Sequence, residues 1–438
     1  INGDGDPVVM AGGEAAVRRQ GRGAGYRQIS RRQIEIAAVL PVFHPPLQTM
    51  MNLHHILPGK RVLMLGSGNV GLVVSFQLMQ AGCEVVALCD AAPRIGGYGV
   101  HAAKVARCGV PFYLSHTIIE AEGDEYVTGV TIGQVGPDWK IIPGTEKHFD
   151  VDTICLAVGL SPMSQLLDQA GCKMKDTKGG FVPDCDEEGQ TSVPGLYAAG
   201  DVSGIEEASS AMIEGRISGI TIAEYLGFAK TDEKESRIEE LEAQLDTLRQ
   251  GMFAPCNRGK KIEKTEEGID ISQSLLVNGF VGDDEIGRFP GVTKQRKIHP
   301  VMECTQNIPC NPCQDACKRG CITIGSNITS LPVVDNDHEC IGCGMCVASC
   351  SGQAIFLVEE DVAPGYGEVT MPYEFMPLPE VGDKGIACGR DGKEVCECEV
   401  TKVRTAPVFD HTNLLTIKVP NDMLMKARFY RAKKEAVL

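Results

Sequence analysis

The chain has 438 residues, 43% hydrophobic and 23% charged, with a formal net charge of −16. That is enough material for two to four packed domains, and the acidic balance excludes nucleic acid or an anionic membrane surface as the main partner. No run approaches the roughly 20 apolar residues that a bilayer span requires.

In chain order, residues 1–57 form an atypical segment rich in Gly, Ala and Arg, without lysine before Lys60. Regular text then starts. "KRVLML" reads as a short buried strand, "GSGNVG" at 66–71 as a tight turn, "VGLVVSFQLMQAG" as a helix and "EVVALCD" as a second strand. This βαβ unit opens a Rossmann domain over 58–162, with further strands at "VTGVTIGQV" and "DTICLAV". Residues 163–228 end in a long helix from "EEASSAM". Over 229–298 a charged helix carries Ile238, Leu241, Leu245 and Leu248 on one stripe, and "GKKIEKTEEG" reads as a linker. Two heptads favour a helix resting on its own chain over a dimer zipper. A cysteine module spans 299–360. A small β-rich module spans 361–438, with a hairpin at "GRDGKEV".

The glycine turn carries the first chemistry. Between strand and helix, backbone N–H groups and the helix N-terminus can receive a pyrophosphate. Gly66 allows the turn, Gly68 the close approach of phosphate and Gly71 the close helix–strand packing, with Ser67 and Asn69 between them. Asp90, nineteen residues after Gly71, ends the second strand. A carboxylate there accepts from a ribose 2′-OH and repels a 2′-phosphate, favouring NAD over NADP. A Rossmann unit without nucleotide remains the rival.

Nineteen cysteines are present, nine of them within 304–350. A disulfide scaffold would be short and would spread its cysteines, so the crowding points to thiolate-bound metal. Cys340-x₂-Cys343-x₂-Cys346-x₃-Cys350 has the spacing of a bacterial [4Fe–4S] ligand run. Upstream, Cys304-x₅-Cys310-x₂-Cys313-x₃-Cys317 repeats it with a lengthened first gap. The set resembles a two-cluster ferredoxin. That resemblance implies that Cys304, Cys310 and Cys313 share a cluster with Cys350, and Cys340, Cys343 and Cys346 one with Cys317. "CITIG" and "AIFLV" follow the two sets like the paired strands of that fold. Lys318 and Ser351 stand where proline is usual. Cys321 is left for packing or as a reserve ligand. Cys388, Cys396 and Cys398 read as idle thiols rather than as ligands of a further metal, and a Cys₄ zinc site is the bland rival of the clusters.

"TSVPGLYAAGD" at 191–201 and "TICLAVGLSP" at 153–162 resemble the late flavin strand and the crossover segment of the pyridine nucleotide–disulfide oxidoreductase superfamily. The resemblance runs from about 47 to 227. It implies a two-dinucleotide flavoprotein fold, FAD near Gly200 and Asp201, and Gly159 in the crossover. The fold class expected is thus α/β Rossmann-like, followed by an α+β ferredoxin-like domain and the small β-rich module. Residues 1–59 contain no flavin-type GxGxxG and the chain opens on Ile1, so the other flavin half is expected upstream, with a second polypeptide that supplies it, or no flavin at all, as the alternatives. The family's redox dithiol is also missing, and Cys83 and Cys89 read as buried small hydrophobes.

A nicotinamide moves electrons in pairs and a cubane moves them singly, so a flavin is needed between them. The expectation is an electron-transfer subunit joining NAD(H), FAD and two [4Fe–4S] clusters in a reducing cytoplasm. It resembles the FAD/NAD-linked, ferredoxin-containing subunits of anaerobic amino-acid or glycerol-3-phosphate dehydrogenases. That resemblance implies a hetero-oligomer with a flavin-dependent dehydrogenase subunit, a ferredoxin-type carrier, or both. The alternatives are a purely electron-wiring iron–sulfur subunit with an empty Rossmann unit, and a zinc-stabilised scaffold.

Overall fold

The computed structural model describes residues 36–38, 46–177, 179–228, 231–251, 254–255, 269–335 and 337–433. Its first layer is a parallel sheet in the order 36–38, Thr153–Leu156, Arg61–Leu65, Glu84–Asp90, Phe112–Leu114. These strands are near-continuous apolar runs because both faces are covered. On one face the helices Asn69–Gln80 and Gly99–Arg107 pack through Leu72, Phe76, Ala102 and Val105. On the other, a three-stranded antiparallel sheet (His116–Glu122, Gly129–Gln134, Lys147–Asp150) packs through Val130 and Ile132 onto Leu63, Ala87 and Ile154. Cys83 and Cys89 are buried, as their positions predict. Leu47 and Met51 of the helix Pro46–Asn52 join this core, so part of the atypical segment packs with the nucleotide domain.

Residues 191–201 do not form the expected strand. Only Tyr197 bridges Gln190, and Gly200–Ser203 turns at once into a 3₁₀ helix. A strand needs a paired edge, and this segment joins none of the sheets among the described residues. The helix Ala208–Tyr225 follows. The charged helix Thr231–Leu248 rests on it, Ile238, Leu241 and Leu245 buried against Ile213 and Ile217, so the stripe packs on its own chain. "GKKIEKTEEG" lies outside the described residues. Residues 269–298 are docked rather than linking. Ser272 accepts a hydrogen bond from Leu275 N as the cap of helix Gln273–Asn278, and Leu276 O accepts from Ile95 N at 2.8 Å.

The boundary expected at 360/361 does not exist in space. One seven-stranded antiparallel sheet runs in the order His299–Met302, Ile355–Ala363, Tyr366–Tyr373, Asn413–Pro420, Glu394–Arg404, Lys384–Cys388, Phe429–Ala432. The strand after the second cysteine set turns at Gly365 (φ 79°) straight into the next module, so both share a core. The strands following the two cysteine sets pair with different partners, Ile322–Thr323 with Val333–Val334 and Ile355–Ala363 with His299–Met302. The expected Asp391–Gly392 hairpin is present between Lys384–Cys388 and Glu394–Arg404. Cys388 and Cys398 are buried in it.

Beneath this sheet, Glu303 takes hydrogen bonds from Arg390 and Arg428, both buried, while Arg390 also reaches Asp283. Burial alone would raise the Glu303 carboxyl, but Arg428 and Arg390 hold it down to about 2.

Candidate functional site

The glycine turn shows which of its glycines the protein itself needs. A Cβ on Gly66 (φ 115°) would stand 2.2 Å from Ala157 O, and one on Gly71 would stand 2.0 Å from Gly66 O. Neither contact is tolerable. A Cβ on Gly68 would meet nothing within 4 Å, and its backbone (φ −69°, ψ 172°) suits any residue. Gly68 therefore answers to no neighbour in the protein and faces space that a ligand could use. Gly71→Ala should destabilise the domain by about 1–3 kcal/mol through overpacking. Gly68→Ala should leave stability unchanged or raised by about 0.4–1 kcal/mol while weakening nucleotide binding. Thermal unfolding and NADH binding, measured side by side, check the contrast.

Asp90 holds the turn from below. Its Oδ2 accepts from Ser67 N and Ser67 Oγ, both at 2.7 Å, and its Oδ1 accepts from Ala92 N at 2.8 Å. Ser67 is fully buried; its hydroxyl also accepts from Gly96 N, and Asn69 Oδ1 accepts from Tyr98 N. The carboxylate expected to meet a ribose is thus also the anchor of the glycine loop.

Gly68, Asn69 and Gly159 line one cleft of about 550 Å³. Gly159 has φ 120° and open space around it. Opposite stand Glu206 and Glu207, with Arg249 from the end of the charged helix. Arg249 donates to Glu206 at 2.9 and 3.1 Å and to Glu214, whose other oxygen accepts from Gly200 N at 2.8 Å. Glu207 accepts from Tyr98 and Asn69. This carboxylate–guanidinium wall was not legible in the sequence, because its members come from separate elements. Gly200 (φ 76°) and Asp201 do not line the cleft. The exposed Asp201 carboxylate accepts a long 3.4 Å bond from Glu206 N.

A third wall comes from the cysteine module. Asn307 and Pro309 line the same cleft, and both lie in the lengthened gap between Cys304 and Cys310. The gap that departs from ferredoxin spacing is therefore the segment that reaches the nucleotide loop. Asn307 is 4% exposed and donates to Thr329 O, while its Oδ1 has no partner among the described residues.

The eight cysteines fall into two groups. Burial raises the Cys304 thiol, and the nearby Cys350, Cys310 and Cys313 raise it further. Burial likewise raises Cys346, followed by Cys340, Cys343 and Cys317. Cys317, Cys340, Cys343 and Cys346, with Cys321, line a small hydrocarbon-walled cavity. Neighbours thus cross between the two motifs, Cys350 with the first and Cys317 with the second. Backbone amides aim at three of the sulfurs: Gly342 N at Cys340 (3.4 Å), Cys321 N at Cys317 (3.3 Å) and Ala354 N at Cys350 (3.4 Å). Among the described residues, no three His, Cys, Asp or Glu side chains close on a single metal ion. A zinc site would hold its sulfurs about 2.3 Å from one point, whereas a cubane takes each thiolate on a different iron. The donor set, all sulfur and met by N–H groups, fits clusters.

Residues 12–215, just under half of the chain, match the pyridine nucleotide-disulphide oxidoreductase family. The match begins at residue 12 rather than near 47 and stops short of the cysteine module. Among curated proteins, hydrogen cyanide synthase subunit HcnB of Pseudomonas aeruginosa is 27% identical over 48% of this chain and 47% of its own length. An opine oxidase subunit of Rhizobium meliloti is 25% identical over 48% of this chain and 45% of its own. An NADH oxidase of Methanocaldococcus jannaschii is 27% identical over 37% of each. The chain thus spans about half or less of the length of these relatives. Among the described residues no helix is long and apolar enough to cross a membrane.

Proposed function

We propose that the chain is an electron-transfer subunit of an oxidoreductase, passing electrons between NAD(H), FAD and two [4Fe–4S] clusters on behalf of a partner dehydrogenase subunit. One observation carries this reading. The loop between Cys304 and Cys310 is itself a wall of the cleft that holds the glycine turn. Such a wall sets a one-electron station beside a hydride site with no flexible tether between them.

In this reading the nicotinamide and flavin exchange hydride and the clusters take electrons singly. The chain's own residues do the rest. Gly68 and the N-terminus of helix Asn69–Gln80 receive the pyrophosphate, and Asp90 orients the loop and selects NAD over NADP. Gly200 and Asp201 hold one edge of the flavin. Cys304, Cys310, Cys313 and Cys350 hold the inner cluster, and Cys317, Cys340, Cys343 and Cys346 the outer one. Cys343 and Ile341 are exposed, which offers the outer cluster to a ferredoxin-type carrier. A partner subunit is supported by relatives that are themselves named as subunits.

Anaerobically purified protein should contain about eight iron and eight acid-labile sulfides per chain, as two cubanes require, together with FAD. Zinc in place of iron would refute the clusters, and a native complex without flavin would refute the converter.

A further inference from the structure

The helix Gly99–Arg107 belongs to the nucleotide domain, yet its far face grips the turn that follows Cys350. Gly99 N donates to Gln306 Oε1 at 2.7 Å, Lys104 Nζ to Ser351 O at 3.2 Å and Arg107 to Gln353 O at 3.0 Å. A Cβ on Gly352 would stand 2.7 Å from Val100, so helix and turn are in close contact. Gln353 N donates to Cys350 O, and Ala354 N points at the Cys350 sulfur. Every backbone group of this turn that meets the helix therefore meets it beside a cluster ligand.

Lys104 and Arg107 are 7% and 5% exposed. Long cationic side chains this buried are usually paired, yet the groups Lys104 and Arg107 bond here are carbonyl oxygens. Few opposite charges face them from the elements packed around the helix. Glu374 lies near Lys104 from the large sheet. Glu303, Arg390 and Cys108 lie near Arg107. Glu303 is already matched by Arg390 and Arg428. The inner quartet thus sits in a buried surplus of positive charge. The outer quartet has Arg319, which is exposed, and Arg404, which is half-buried and bonded to Gly342 O and Cys343 O.

We infer that Lys104 and Arg107 are positioning residues for electron transfer that hold up the reduction potential of the inner cluster. One-electron reduction adds a negative charge to the cluster and its four thiolates. A buried guanidinium, permanently charged, stabilises that added charge strongly because little water screens it. The helix that begins beside the nucleotide loop would thus make the nearer cluster a ready acceptor for electrons leaving the cleft. This inference rests on the cluster reading given above.

The test is an EPR-monitored redox titration of the full, anaerobically purified chain. Arg107→Gln should move one of the two cluster waves to lower potential and leave the other in place, and Arg107→Lys should restore most of the shift. Unmoved waves with full iron content would overturn the inference and leave the cluster reading intact. No cluster signals in the unsubstituted protein would overturn both. Should Arg107→Gln fail to retain iron, Lys104→Gln decides: the same single wave must fall, and an unmoved wave refutes the role.

Discussion

Cys343→Ala should cost the protein about half of its iron, and Cys317→Ala should cost the same half, although the two residues stand in different motifs. Cys350→Ala should cost the other half. The expectation follows from the interleaving. Cys317 lies with Cys340, Cys343 and Cys346, while Cys350 lies with Cys304, Cys310 and Cys313. Iron and sulfide assays on the three variants, with EPR to identify the surviving cluster, read the pairing directly. A Cys343 variant that loses the same cluster as the Cys350 variant, while Cys317→Ala loses the other, would show that each motif serves its own site. Unchanged iron in Cys343→Ala would refute the ligand assignment. Cys321 is placed to soften the result. It is buried beside Cys317, and its own amide donates to that sulfur. A double Cys317→Ala, Cys321→Ala variant should therefore lose at least as much iron as Cys317→Ala alone.

The second large effect is on stability. Glu303→Gln should destabilise the cysteine-and-sheet unit by about 3–5 kcal/mol, because it strips the shared counter-charge from two buried guanidiniums. Arg428→Met should cost less, since Glu303 keeps Arg390 and methionine fills part of the space. Arg428 is 1% exposed and also donates to Leu424 O and Ala427 O, so the loss is not negligible. Urea unfolding followed through the cluster absorbance should place the midpoints in the order unsubstituted, Arg428→Met, Glu303→Gln. Equal midpoints would mean that the network is solvated and contributes nothing. Glu303 immediately precedes Cys304, so this network also fixes the first ligand loop to the sheet.

Some of this molecule was legible because its constraints are local. Gly66 and Gly71 are dictated by backbone atoms a few residues away and by the adjoining strand, and the runs Val62–Met64 and Val85–Cys89 declare a sheet buried on both faces. The stripe on helix Thr231–Leu248 announced a buried face, and its partner proved to be the preceding helix. What stayed hidden depends on contacts far apart in sequence. Glu206, Glu214 and Arg249 meet only because the charged helix folds back over the cleft. The joining of the cysteine module and the β-rich module follows from the pairing of Ile355–Ala363 with Tyr366–Tyr373, whose turn resembles any surface hairpin. The segment 191–201 reads as a strand, but a strand is a property of a pair of edges, and among the described residues this segment has only the single bridge of Tyr197 to Gln190. Asp90 reads as a ribose acceptor, while Ser67 directly beside it claims part of its bonding capacity.

In the proposed function, electron pairs enter at the cleft as hydride and leave one at a time through the cysteine module. Anaerobic titration of the purified protein with NADH, followed by optical and EPR spectra, tests it most directly. Bleaching of the flavin accompanied by the signals of reduced [4Fe–4S] clusters is the predicted result. Clusters that dithionite reduces but NADH leaves oxidised would contradict it.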